Sequence, residues 1–144
     1  MKRNLIGILS LVAISLMLNA AGAYAQSMVK ANVPFDFKVG SAQLPAGSYE
    51  IKVDSASAAA IMIQNDEGKA GALSNARREP ARDTQAKLVF HKVGNQYFLA
   101  EIWRSSQAEG MILPTSKQEK ELEKEMQASN GHKGGYEEVV LALN

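Results

Sequence analysis

The 144-residue chain carries sixteen basic against fifteen acidic residues, two histidines and no cysteine. That balance lacks the basic stripe a nucleic-acid backbone demands, so nucleic acid is excluded as a partner. The missing thiols exclude disulfide staples and cysteine nucleophiles, so the core alone must supply stability.

In "MKRNLIGILSLVAISLMLNAAGAYAQ", Lys2 and Arg3 precede an apolar run from Leu5 to Leu18, and small residues lead to Ala23-Tyr24-Ala25. This reads as a secretory signal peptide cut after Ala25, because the run falls short of the roughly 20 residues a spanning helix needs. No cysteine follows the cut to carry a lipid, and no transmembrane anchor is expected after cleavage. Removal of residues 1–25 leaves 119 residues with fourteen basic and fifteen acidic side chains, a net charge of −1. Residues 26–144 suffice for one domain. Export points to a bacterial periplasm or exterior, and no N-x-[ST] sequon marks a glycosylated surface.

"VPFDFKV" at 33–39 alternates Val33, Phe35, Phe37 and Val39 against Pro34, Asp36 and Lys38, which predicts a half-buried strand with Pro34 at its start or on an edge. Pro45 and Gly47 then turn the chain, and "SYEIKVD" resumes the alternation with Tyr49, Ile51 and Val53 inward. A β-meander follows: "AAIMIQ" at 59–64 is a strand, and "NDEG" at 65–68 is a turn before a weaker strand through Ala70–Leu73. "NARREPARDTQ" at 75–85 reads as an exposed loop. Its Arg77, Arg78 and Arg82 form a candidate anion contact, since guanidinium forks hold carboxylates well. The interleaved Glu79 and Asp83 favour a self-neutralised, solvated segment.

"KLVFHKVGNQYFLAEIW" at 87–103 is the strongest hairpin, with Gly94-Asn95 as its loop, His91 facing Phe98 and Phe90 facing Leu99. Both faces carry apolar side chains. Tyr97, Leu99 and Trp103 share one face under strict alternation, and with Leu88 and Phe90 they form a candidate recognition surface for a protein or glycan partner. The alternative is that a second sheet or the charged helix covers that face.

After "GMILPTS", Ser116 and Glu119 fit a capping box and "KQEKELEKEMQ" favours a helix over about 116–127, with Leu122 and Met126 as its only apolar seam. Glycines at 131, 134 and 135 end it. "YEEVVLALN" predicts a final strand over about 136–143 that rejoins the sheet or, by strand exchange, builds a homo-oligomer.

Chemistry is sparse. No serine stands in a motif beside a base. His91 reads as a sheet-packed or surface histidine, and His132 as part of a solvated joint. Neither has a metal-ligand spacing, so no catalytic residue, cofactor or metal is assigned. "GHKGG" lacks the spacing of a phosphate loop. Two carboxylates drawn from Asp36, Asp54, Glu101 and the other acids would make a hydrolase only by facing each other in a cleft.

The ordered segments "VPFDFKVG", "LPAGSYEI", "LVFHKVGNQYFLAEIW" and "LPTSKQEKELEKE" resemble a group of small exported β-rich proteins of soil bacteria, uncharacterised in activity. Leu113, Pro114, Ser116 and Lys117 match that group's helix-opening segment. The resemblance implies a secreted β-rich architecture and carries no ligand or catalytic residue. "LPAGSYEI" is also similar to the turn of prealbumin-like and carboxypeptidase-regulatory-like β-sandwich modules.

The sequence thus predicts an all-β antiparallel sandwich or flattened barrel of about seven or eight strands, with one C-terminal amphipathic helix before the last strand. The expected function is a secreted, non-catalytic binding or structural module acting through an exposed β-face or sheet edge. A carrier with a cavity between the sheets, lined by Phe35, Tyr49, Phe90 and Trp103, is the alternative, and a carboxylate-based hydrolase the remote one.

Overall fold

A computed structural model describes residues 27–54, 60–80, 85–104, 109–130 and 135–143. The expected signal peptide, Arg82, Asp83, His132 and the glycines at 131 and 134 lie outside the described residues. The strands are β1 (Ser27–Val33), β2 (Phe37–Val39), β3 (Ala42–Leu44), β4 (Gly47–Val53), β5 (Ala60–Asn65), β6 (Gly71–Asn75), β7 (Arg77–Pro80), β8 (Lys87–Val93), β9 (Gln96–Trp103), β10 (Glu109–Ile112) and β11 (Glu137–Ala142). Helix α1 (Lys117–Asn130) lies between β10 and β11.

Two open sheets face each other in a sandwich, and neither closes into a barrel. One has four antiparallel strands in the order β1-β4-β5-β6. The other runs β11-β8-β9-β10-β7, with β2 paired to β9 and β3 to β2. Strand β9 divides one flank between two neighbours: β2 meets it in parallel at Lys38 and Phe98, and β10 pairs with Glu101–Trp103.

The alternating run 33–39 is not one strand. Val33 ends β1 and Phe37 begins β2, and between them Pro34-Phe35-Asp36 forms a corner that carries the chain from one sheet to the other. Proline has no N–H to donate to a ladder, which suits it to that break. The Asp36 carboxylate accepts the Ala46 N–H at 2.8 Å, tying the outgoing corner to the returning one. Between the corners, β2 and β3 form a hairpin that turns at Gly40, whose φ of 60° suits glycine. Pro45-Ala46-Gly47 is therefore the return crossing rather than a hairpin turn, and the Tyr49 hydroxyl pins it by donating to the Pro45 carbonyl at 2.6 Å.

Two further expectations change. Residues 27–32, unassigned from sequence, join Val33 to form β1 along the whole of β4. Residues 77–80, read as loop, form β7 against β10. Pro80 is tolerated because β7 is the sheet's outermost strand.

The core is the space between the sheets. Tyr49, Ile51, Val53, Ile61 and Ile63 from one side meet Leu88, Phe90, Leu99, Ile102 and Met111 from the other. Phe37 stands edge-on to both Tyr49 (5.1 Å) and Phe90 (5.6 Å), and Phe35 stands edge-on to Phe90 at 5.1 Å. These rings pack against one another where the carrier alternative placed a cavity, and Trp103 is not among them.

Candidate functional site

One irregularity decides what the outer face of the seven-stranded sheet presents. In the β8–β9 hairpin, His91 pairs with Phe98 and Phe90 with Leu99 as the Gly94-Asn95 turn dictates, but Val89 then pairs with Glu101. Ala100 is the extra residue of a β-bulge, which shifts the side-chain alternation by one position. Tyr97, Leu99 and Ile102 consequently face the core, while Phe98, Glu101 and Trp103 face outward.

The candidate surface Leu88, Phe90, Tyr97, Leu99 and Trp103 is thereby split. Leu88, Phe90 and Leu99 are 1%, 0% and 5% exposed within the core, and Tyr97 packs against it, stacked on Phe35 at 4.0 Å. Only Trp103 belongs to the outer face. Strict alternation placed it with Leu99 because a bulge leaves no mark in the hydrophobic pattern.

The outer face has two halves. Helix α1 takes the half toward the hairpin turn: Met126 lies at Gly94, Glu119 meets His91, and the outward-facing Val93 and Phe98 are buried. The capping box forms as the sequence predicts, with the Ser116 hydroxyl accepting the Glu119 N–H at 3.1 Å and the Glu119 carboxylate accepting the Ser116 N–H at 3.4 Å.

The other half is a groove of about 280 Å³. Trp103, Val89, Ile112 and Val140 supply its apolar lining, and Glu79, Glu101, Glu138 and Lys87 its charged groups. The Trp103 indole N–H donates to Glu101 Oε2 at 2.6 Å, which fixes the ring and orients the carboxylate. Gly110, the cross-strand partner of Trp103, lets the ring fold over the β10 backbone; a Cβ there would stand 2.4 Å from the indole. Three carboxylates and one ammonium line the groove, and with Glu79 paired to Arg77 at 3.3 Å the negative bias rests on Glu101 and Glu138.

The helix-covered half gathers a second cluster. His91 Nδ1 lies 2.7 Å from Glu119 Oε1, and Glu119 is only 4% exposed. Glu123, one turn on, completes a set whose ligand atoms all lie within 4.8 Å of one another. Tyr136 stacks on the His91 ring at 3.8 Å. Sequence reading found no ligands near His91. The i, i+4 spacing of Glu119 and Glu123 was visible, but which strand the helix would cross was not.

Of the candidate anion contact, the two described arginines are drawn into pairs. Arg77 donates to Glu79 at 3.3 Å, and Arg78 lies 3.9 Å from Glu109. Burial, with Arg78 nearby, pulls the Arg104 guanidinium below its ordinary value, while Glu109 pulls it back. Of the acids weighed for hydrolysis, Asp36 serves the corner and Glu101 the indole. On the opposite outer face, Met28, Lys52, Met62 and Leu73 form a cross-strand row with its three apolar members exposed.

No family model, curated protein or solved structure matches this chain.

Proposed function

We propose that this chain is an exported, non-catalytic binding module whose groove takes a ligand with a cationic group on an apolar body. The observation that carries the reading is the pairing of the Trp103-lined floor with Glu101 and Glu138, beside a Glu79 that Arg77 already answers and a single lining ammonium, Lys87, among the described residues. Carboxylates attract an ammonium or guanidinium group, and a fixed indole offers its alkyl portion a flat apolar contact. Ring and carboxylate are already held together by the 2.6 Å hydrogen bond, so little ordering is lost on binding. The resemblance to exported bacterial proteins supports a periplasmic or extracellular setting.

Trp103 is the only tryptophan, so its emission reports on the groove directly. Titration with alkylamines and short lysine-rich peptides should change that emission saturably, and Glu138→Gln should weaken the effect. A response equally strong for fatty acids or neutral sugars, or one indifferent to Glu138→Gln, refutes the reading.

A further inference from the structure

The geometry points to a divalent-cation site of the zinc class formed by His91, Glu119 and Glu123. Helix α1 supplies two carboxylates one turn apart, and β8 supplies an imidazole facing them, so three ligand atoms converge within 4.8 Å. One imidazole with two carboxylates is a donor set that borderline transition cations accept, leaving a position for water. Three protein ligands are too few for calcium, which takes six to eight oxygens.

Charge argues the same way. Glu119 is 4% exposed, and the basic group it meets is His91. A buried carboxylate is costly unless a positive charge accompanies it. Among the described residues, the Glu123 side chain makes no hydrogen bond or ion pair, so the cluster holds one carboxylate more than its histidine answers. A divalent cation satisfies both carboxylates at once. It takes the place of a proton at His91 Nδ1, which passes to solvent from an imidazolium and to Nε2 from a neutral ring, and adds Glu123 as third ligand.

The ligands are also held in place. Tyr136 lies 3.8 Å from the His91 ring with 20° between their planes. Gly135 brings the backbone so close to Glu123 that a Cβ there would stand 2.8 Å from the Glu123 Cβ. The segment entering β11 therefore backs two of the three ligands, as the outer shell of a metal site must. The bound cation would fasten α1, β8 and the approach to β11 together. This site lies apart from the groove, and neither proposal depends on the other.

The test uses the full chain without a polyhistidine tag, freed of metal by chelation and titrated with Zn²⁺ and, as a spectroscopic probe, Co²⁺. One equivalent should bind with a dissociation constant on the order of 1 μM or tighter. Co²⁺ should give a visible d–d band with imidazole ligation, and Zn²⁺ should raise the melting temperature. Glu123→Gln leaves the His91–Glu119 pair intact and should fold normally while weakening binding by at least about tenfold, a loss that outer-shell changes alone can reach. His132→Ala should bind as the parent does. No saturable binding, unchanged affinity in Glu123→Gln, or loss of binding in His132→Ala overturns the assignment.

Discussion

Replacing Gly110 by alanine tests the groove at its tightest point. The added Cβ would lie 2.4 Å from Cε3 and Cζ3 of Trp103 and 2.8 Å from Cδ2, where ordinary contact begins at 3.4 Å. The indole must retreat by about 1 Å or more, which is more than a well-packed ring yields without leaving its rotamer. It cannot do so and keep its 2.6 Å hydrogen bond to Glu101. Overpacking costs about 1–3 kcal/mol, and loss of a hydrogen bond to a charged group about 1.5–3 kcal/mol. Some of each is recovered by relaxation, so the expected destabilisation is about 2–4 kcal/mol. Urea unfolding followed by Trp103 emission measures both consequences, since a displaced indole becomes more solvated and its native emission shifts to the red. A variant within about 0.5 kcal/mol of the parent, with unshifted emission, would show that the ring does not lie over Gly110.

Phe90→Ala should cost about 3–5 kcal/mol in the same urea assay, because the ring is fully buried and leaves a cavity bounded by Phe35 and Phe37. Tyr49→Phe should cost about 1 kcal/mol at neutral pH by removing the hydrogen bond to the Pro45 carbonyl. Burial, and then the Asp36 carboxylate, raise the Tyr49 pKa above its ordinary 10.0. A raised folded-state value gives a contribution fully present below pH 10.0 that is lost as pH rises through it, because the unfolded chain ionises first. The parent should therefore lose stability above that pH faster than Tyr49→Phe, and parallel curves would refute the assignment.

Much of the architecture was legible where local chemistry decides. The Gly94-Asn95 turn set the register that pairs His91 with Phe98. Ser116 and Glu119 marked the helix start, and the inward run Tyr49, Ile51 and Val53 is buried as its alternation predicts. Features set by distant partners were hidden. Val33, Phe35, Phe37 and Val39 reach the core, but nothing in their spacing shows that the chain changes sheets between them. Arginine-rich β7 owes its strand conformation to β10, not to its own propensity. The site was misread for the same reason: one extra residue at Ala100 switched the faces of β9 beyond it, so Ile102 joins Leu99 in the core and Trp103 is left with Glu101 outside. The His91–Glu119–Glu123 set required knowing where a helix with half its residues charged and little apolar surface would lie.

The way the chain is shared between the sheets bears on the order in which the molecule assembles. All four strands of the smaller sheet come from residues 27–75, so that sheet can pair as soon as Asn75 has emerged. Its inner side, from Tyr49 to Ile63, then stays bare until β8 and β9 arrive to cover it. The β2–β3 hairpin is the piece of the first half that belongs to the second sheet. It is joined there by the parallel contact with β9 and by the bond from Lys38 to Gln96, 58 positions away. Such distant closure is slow compared with hairpin formation, and until it occurs an apolar sheet stands open to its neighbours. A chain interrupted near Asn75 would therefore be a half-sandwich prone to aggregate, and its rescue would depend on how quickly the waiting hairpin captures β9.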